Sequence, residues 1–277
     1  MQLWIILGII AIVLTLMIAY SMFIEIKWYE ITHPELYIHG LDATFDGYKI
    51  AQITDIHMDS SMTRERLIRI AGMIDEQKPD LIVITGDFVS YNVEYVTNDL
   101  RDALSEFSAP DGIIAVTGNH DYLSGVDRVR GVLNDVGIHE LANDYKAIER
   151  DNARFYVAGI DDVSAKKSRL DILLNKLPDD APAILLAHEP DFADIAAATG
   201  RFAVQLSGHT HGGQIQMPFI GAFYGPKHGH IYQDGMYDVD DGLQIYVSRG
   251  VGTVTLPIRF NCRPEITILT LRSITNN

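Results

Sequence analysis

Leu81-Ile-Val-Ile-Thr-Gly-Asp87 decides the reading of this chain: an apolar run of strand length, a glycine, then a carboxylate. The cadence returns along the sequence. Tyr48–Thr54 leads into Asp55-Ile56-His57, Ile113–Thr117 into Gly118-Asn119-His120-Asp121, Ile184–Ala187 into His188, and Val204–Ser207 into Gly208-His209-Thr210-His211. Short runs that are apolar or, as at Lys49, carry one charge at their start, bounded by turn residues, fit buried strands. Strands deliver residues to one edge of a sheet, so the polar segments that follow them form a single site. Asp, Asn and His supply the oxygen and imidazole donors that hold divalent cations.

Helical patterns fill the spaces between these strands. Thr63–Gln77 repeats its apolar residues at Leu67, Ile70, Ala71 and Ile74, and Pro79 closes it. Val96–Phe107, Val126–Val136, Leu170–Leu177 and Phe192–Thr199 read as further helices, and Phe155–Ile160, Leu243–Ser248 and Ile266–Leu271 as further strands. Helix–strand alternation argues an α/β fold. The excess of strands after His211 argues a sheet of mixed direction.

A chain of 277 residues suits one sizeable domain with an appendage. Its formal charge of -15 gives no general footprint for nucleic acid, whose phosphates need clustered Lys and Arg. An anionic substrate must be drawn by something local, and bound cations meet that need. The single cysteine, Cys262, excludes an intrachain disulfide and a thiolate zinc cluster. No charged residue occurs from Leu3 to Met22, a run of the length that spans a bilayer core. The run lacks the basic n-region and cleavage site of a signal peptide, so a retained single-pass anchor over residues 1–24 is expected. Lys27 is set against Glu25 and Glu30, which leaves the orientation open. Residues 25–47 read as a juxtamembrane strand and turn with Trp28 and Tyr29 at headgroup level, and 48–277 as the catalytic domain.

In extended backbone, Asp55 and His57 would share a face and clamp one ion. Asp87 can bridge two ions with its two oxygens, Asn119 offers a carbonyl oxygen, and His209 and His211 repeat the two-residue spacing. Each motif alone is weak, since a lone Asp-x-His or Gly-Asp is usually a turn. Their joint occurrence, each at a strand end, is specific.

Asp-x-His, Gly-Asp, Gly-Asn-His-Asp, His and Gly-His-x-His, in this order, resemble the calcineurin-like metallophosphoesterase superfamily from about Ile50 to Leu271. The resemblance implies a two-sheet β-sandwich flanked by helices. It implies one metal on Asp55, His57 and His211, a second on Asn119, His188 and His209, and Asp87 as the bridge. His120 would contact the substrate phosphate and serve the leaving group, with Asp121 fixing its tautomer. The two ions would be Mn, alternatively Fe or Zn. Gly86-Asp87 is not followed by Asp-Arg, nor Asn119-His120 by Glu, which sets aside the Ser/Thr protein phosphatases. Ser90 stands where purple acid phosphatases place a tyrosine.

The later segments, Gly208-His-Thr-His-Gly-Gly-Gln-Ile, Tyr246-Val-Ser-Arg-Gly-Val-Gly and Pro257-Ile-Arg-Phe-Asn-Cys-Arg-Pro-Glu-Ile, are similar to a bacterial membrane-associated subgroup. That subgroup includes phosphodiesterases and an enzyme that cleaves UDP-2,3-diacylglucosamine in lipid A biosynthesis. The resemblance therefore implies hydrolysis of a phosphodiester or pyrophosphate bond on a lipid-linked substrate, at a membrane, and implies no protein partner. A broad phosphomonoesterase is the second enzyme reading, and a non-catalytic metal-binding module the reading from another class. Arg249 and Arg259, with Arg263 nearby, are candidates to grip a second phosphate. Met217–Gly225 is apolar and Gly-rich, suited to a lip over the site or to a buried loop. His228 and His230 are kept outside the metal site.

Overall fold

The computed structural model describes residues 1–91, 93–222, 225–239 and 242–274. Two sheets pack face to face, with helices on both outer faces. In the first sheet the order is Glu30–Thr32, Glu265–Ile274, Lys49–Ile53, Leu81–Thr85, Ile113–Val116 and His139–Glu140, with Glu35–His39 also paired to Glu265–Ile274. In the second it is Gly235–Asp238, Gln244–Val247, Val204–Ser207, Ala183–Leu186, Ala153–Gly159 and Asp144–Arg150. The strands that precede the site motifs are mutually parallel within each sheet, with registers such as Ile50↔Leu81 and Leu206↔Leu186. The expected two-sheet α/β sandwich is the observed architecture.

Side-chain alternation explains the layering. Leu81 and Val83 point between the sheets to meet Phe155, Val157, Ile184 and Leu206. Ile82 and Ile84 point outward to the helices Arg64–Asp75, Val93–Leu104 and Val126–Asp135 through Leu67, Leu100 and Val129. A strand covered on both faces has no polar side, which is why Leu81–Thr85 carries no charge. The second sheet is covered by Leu170–Lys176 and Ala193–Ala197. The helix starting at Arg64 is capped by Thr63, whose hydroxyl accepts from the Arg66 amide.

Three expectations shift. The helix placed at Val96–Phe107 spans Val93–Leu104. The edge strand Asp144–Arg150 was not anticipated, because its half-exposed, charged sequence lacks the apolar run of the central strands. The segment 25–47 packs as part of the sandwich: Glu30–Thr32 and Glu35–His39 both run parallel to the C-terminal strand, so a boundary at residue 48 would cut the first sheet. Trp28 is exposed, but Tyr29 is buried and its hydroxyl accepts from Arg66, so Tyr29 belongs to the core.

Gln2–Phe23 is one helix of 22 residues, about 33 Å long and long and apolar enough to cross a membrane. Its side chains are exposed except at the last turns, where Ser21 is buried and its carbonyl accepts from the Arg259 amide.

Candidate metal centre

All the expected ligands lie just past the C-terminal ends of parallel strands, where ligands of open α/β sheets gather. The loops hold one another there. The Asp55 amide donates to the Gly86 carbonyl, His57 to Asp87, Gly208 to His188, and Gly252 to Asp55. Asp55 and His57 do not converge by strand pleating. Both have left-handed backbone, at φ 51° and 49°, as do Asp87 at 55°, His209 at 72° and His211 at 54°. Positive φ is uncommon for residues with a Cβ and costs on the order of 1–3 kcal/mol each. Five such residues at one point mark a site whose geometry is imposed by its surroundings. Glycine makes the crowding possible: a Cβ on Gly208 would lie 2.1 Å from Thr54 Oγ1 and 2.4 Å from Asp55 Oδ2.

The donor atoms form clusters. Asp55, His57 and His211 make one, and Asp87, His188 and His209 another, while Asp87 also joins His57 and His120. His211 Nε2 is 3.3 Å from Asp55 Oδ1, and His57 Nε2 is 3.1 Å from His211 Nε2 and 3.4 Å from Asp87 Oδ2. His188 Nε2 is 3.3 Å from the same Asp87 oxygen and 3.1 Å from His209 Nδ1. Donors bound to one ion at roughly 2.0–2.2 Å stand about 3.0–3.5 Å apart, so the spacing fits a cation at each cluster with Asp87 between them. Asn119 Oδ1 is buried without a hydrogen-bond partner, as a carbonyl oxygen awaiting a cation would be.

Imidazole orientation supports the same use. His188 Nδ1–H donates to the Thr85 carbonyl at 2.7 Å, leaving Nε2 free toward Asp87, and His209 Nε2–H donates to the Lys227 carbonyl at 2.8 Å, leaving Nδ1 free. Burial holds His57 and His209 down at about 4 and His211 well below the usual histidine range, with the charge of Arg259 adding to the last. All three are therefore neutral at pH 7, the form that ligates metal. Asp55 is pushed up to about 6, first by burial and then by the nearby Asp87 charge. Burial outweighs the opposing charge of His188, and a divalent cation would offset it.

His120 sits on the cavity wall. Its amide donates to Asp87 Oδ1 at 2.8 Å and its Nδ1–H donates to the Ser90 carbonyl at 3.2 Å, so Nε2 is the ring's free nitrogen. Asp121 makes no hydrogen bond to the His120 ring among the described residues. Its oxygens accept from the amides of Phe88, Val89 and Gly118, tying the Asp87 loop to the Asn119 loop, and burial raises its carboxyl to about 8. The tautomer of His120 is set by Ser90, a backbone contact that sequence spacing does not display.

The arginines also depart from expectation. Arg259 is fully buried and donates to the carbonyls of Arg249, Gly250, Gly252 and Cys262. Its fork is saturated by the loop it holds, and burial is the main influence lowering its pKa. Arg249 binds Glu265 and Glu30 at 2.9 Å each, and Arg263 binds Glu30 and lies over the Trp28 ring. None of the three lines the cavity above the clusters. That cavity, about 660 Å³, is lined by Asp87, Asn119, His120, His209 and His211 together with Ile215, Val254, Leu256 and Tyr91, whose ring stands edge-on to His120, and Lys227 is its only lysine or arginine among the described residues. Tyr91 and Lys227 were missed because nothing in their flanking sequence marks them. His228 and His230 join none of the clusters among the described residues.

Comparison with known proteins agrees with this geometry. Residues 48–213 match the calcineurin-like phosphoesterase family model, and the chain belongs to that family. It is 36% identical over 92% of its length, and 89% of the other protein's, to an uncharacterized metallophosphoesterase of Bacillus subtilis strain 168, YkuE. It is 29% identical to the phosphodiesterase YaeI of Escherichia coli K12, over 91% and 92% of the two chains. It is 31% identical to a Danio rerio protein named transmembrane protein with metallophosphoesterase domain, covering 88% of this chain and 57% of that one. The chain is thus a metallophosphoesterase, a metal-dependent phosphoester hydrolase.

Proposed function

We propose that this metallophosphoesterase cleaves phosphodiester bonds in a lipid-linked substrate while anchored in a membrane by Gln2–Phe23. The observation that carries the reading is the cavity: its lining joins metal-ligand residues to the apolar side chains of Tyr91, Ile215, Val254 and Leu256, with Lys227 the single lysine or arginine among the described residues. A diester monoanion with an apolar substituent matches such a lining better than a small dianionic monoester. The name of the Escherichia coli relative supports a diester, and that of the Danio rerio relative supports the anchor. A pyrophosphate such as UDP-2,3-diacylglucosamine fits less well, because Arg249 and Arg259, which would hold a second phosphate, are engaged elsewhere.

Asp55, His57 and His211 would hold one ion, Asn119, His188 and His209 the other, with Asp87 shared between them. Bound divalent cations supply polarisation of the phosphoryl oxygens and a water of lowered pKa. Asp87 anchors the His120 backbone and so fixes the ring's place beside the reacting phosphate. With Nδ1–H held by Ser90, Nε2 of His120 can carry a proton to the leaving oxygen. Tyr91, Ile215, Val254 and Leu256 would exclude water along a lipid moiety bound against them.

The test is a comparison of bis-p-nitrophenyl phosphate with p-nitrophenyl phosphate, using the full-length protein in detergent after chelation and after adding back Mn²⁺, Fe²⁺ or Zn²⁺. A higher kcat/KM on the diester, dependent on added metal, is expected. Preference for the monoester, or turnover indifferent to chelation, would overturn the reading.

A further inference from the structure

We infer that the mouth of the active-site cavity is pressed against the bilayer by an apolar rim formed by Leu256 of its lining and by the hairpin tip Phe219-Ile220, which is fastened to the neighbouring loop through Gln216 and Phe260. The inference rests on Gln2–Phe23 being a membrane anchor and extends it from a tether to a docking geometry.

Continuity with the anchor is the first support. The Ser21 carbonyl, one turn before the helix ends, accepts from the Arg259 amide. A 22-residue helix about 33 Å long just spans a hydrocarbon core of roughly 30 Å, so its last turn lies at the hydrocarbon–headgroup border. Arg259 is thereby held at that border. Leu256 is three residues from Arg259 and so within about 10 Å of it. The hairpin is fastened to the same segment: Gln216 donates to the Phe260 carbonyl, Phe260 to Gln214, and the Gln214 side chain to the carbonyls of Val254 and Leu256. Phe219 is again three residues from Gln216, at the turn between Gln216–Met217 and Gly221–Ala222. Anchor, loop and hairpin are one hydrogen-bonded unit.

The rim's chemistry is the second support. Phe219 is fully exposed, Ile220 is 69% exposed and Leu256 54%. Phe219 has φ 68°, a conformation unfavourable for a bulky residue, and it leaves the ring turned outward. In a chain of net charge -15, the stretches Gly212–Pro226 and Gly250–Ile258 contain no charged residue. A carboxylate-rich surface is repelled by anionic lipid, so the uncharged face is the one that can approach it. Trp28, half exposed just past the anchor, suits the headgroup level. Because Ile215, Val254 and Leu256 line the cavity as well, a lipid phosphate could enter at headgroup depth while its acyl chains stay in the leaflet.

The test uses the full chain in nanodiscs of phosphatidylglycerol and phosphatidylethanolamine, without substrate, so it does not depend on the hydrolytic reading. Cys262, the only cysteine, is buried, which lets an introduced cysteine be labelled alone with bimane. Phe219→Cys and Leu256→Cys should be quenched by doxyl lipids more than by aqueous iodide. Leu14→Cys in the anchor should behave alike, and Tyr37→Cys, on the edge strand at the far end of the sheet, should show the reverse. Iodide quenching at 219 and 256 with Leu14 in lipid would overturn the rim and spare the anchor. Quenching by neither would mean that protein, such as a second copy, covers the rim, and would also overturn it. Absence of lipid quenching at Leu14 would overturn the anchor and the rim together.

Discussion

Replacing Arg249 with Met should destabilise the fold and leave substrate binding intact. Glu30 and Glu265 are direct partners across neighbouring parallel strands, a juxtaposition of like charges that is unfavourable by itself. Arg249 resolves it. Its Nε and backbone amide both donate to Glu265 Oε2, at 2.9 and 3.1 Å, and its Nη2 donates to Glu30 at 2.9 Å. Glu265 is buried, whereas Glu30 is about a third exposed and shares Arg263, so most of the effect comes from Glu265. Taking one partner from a buried ion pair costs about 3–5 kcal/mol. The pH dependence carries a sign. Burial pushes the Glu265 carboxyl up, but Arg249 together with the hydroxyls of Thr32 and Tyr246 outweighs it and holds the carboxyl low. Its stabilisation is thus complete above the unfolded value of about 4.3 and is lost only as pH falls through the lower folded value. Without Arg249, burial wins and the carboxyl rises, so protonation relieves the variant, and its deficit should shrink from pH 7 toward pH 4.5. Urea unfolding in detergent, followed by circular dichroism at several pH values, measures the deficit, and Arg249→Met with Glu265→Gln should recover part of it. Wild-type stability combined with a raised KM for the diester would refute the argument and return Arg249 to the substrate.

Asp87→Ala removes the oxygen shared by both clusters and should abolish turnover with loss of at least one metal per chain; elemental analysis showing full occupancy would contradict the bridging role. His120→Ala should retain both metals while kcat falls about 10²- to 10⁴-fold, most for substrates with poor leaving groups. Loss of metal in that variant would instead make His120 a ligand. Asp121→Asn should weaken the tie between the Asp87 and Asn119 loops by about 1–3 kcal/mol without moving the pH profile of kcat, whereas a displaced profile would restore its link to the His120 ring.

The residues that the structure gathers were legible because each stands next to the strand that delivers it, and a buried parallel strand announces itself as a run with little or no charge. The route to convergence was not. Strand alternation would place Asp55 and His57 on one face, but the structure obtains the same result from left-handed residues after the strand has ended. A two-residue spacing brings the two side chains close under either geometry, and the backbone reaches that proximity by the left-handed route. The arginines failed for the opposite reason. Arg249 and Arg259 are close in sequence to the metal loops, but their partners are decided by pairings across the whole chain: Glu30 against Glu265, and Ser21 against Arg259. The pairing that engages Arg249 brings in Glu30 from just beyond the apolar helix, so the segment expected as a juxtamembrane strand and turn is an edge of the first sheet. Deleting the helix together with residues 25–39 would therefore remove strands and an ion-pair partner as well as the apolar helix, and truncation should stop before Glu25, whose carboxylate accepts from the Cys262 amide.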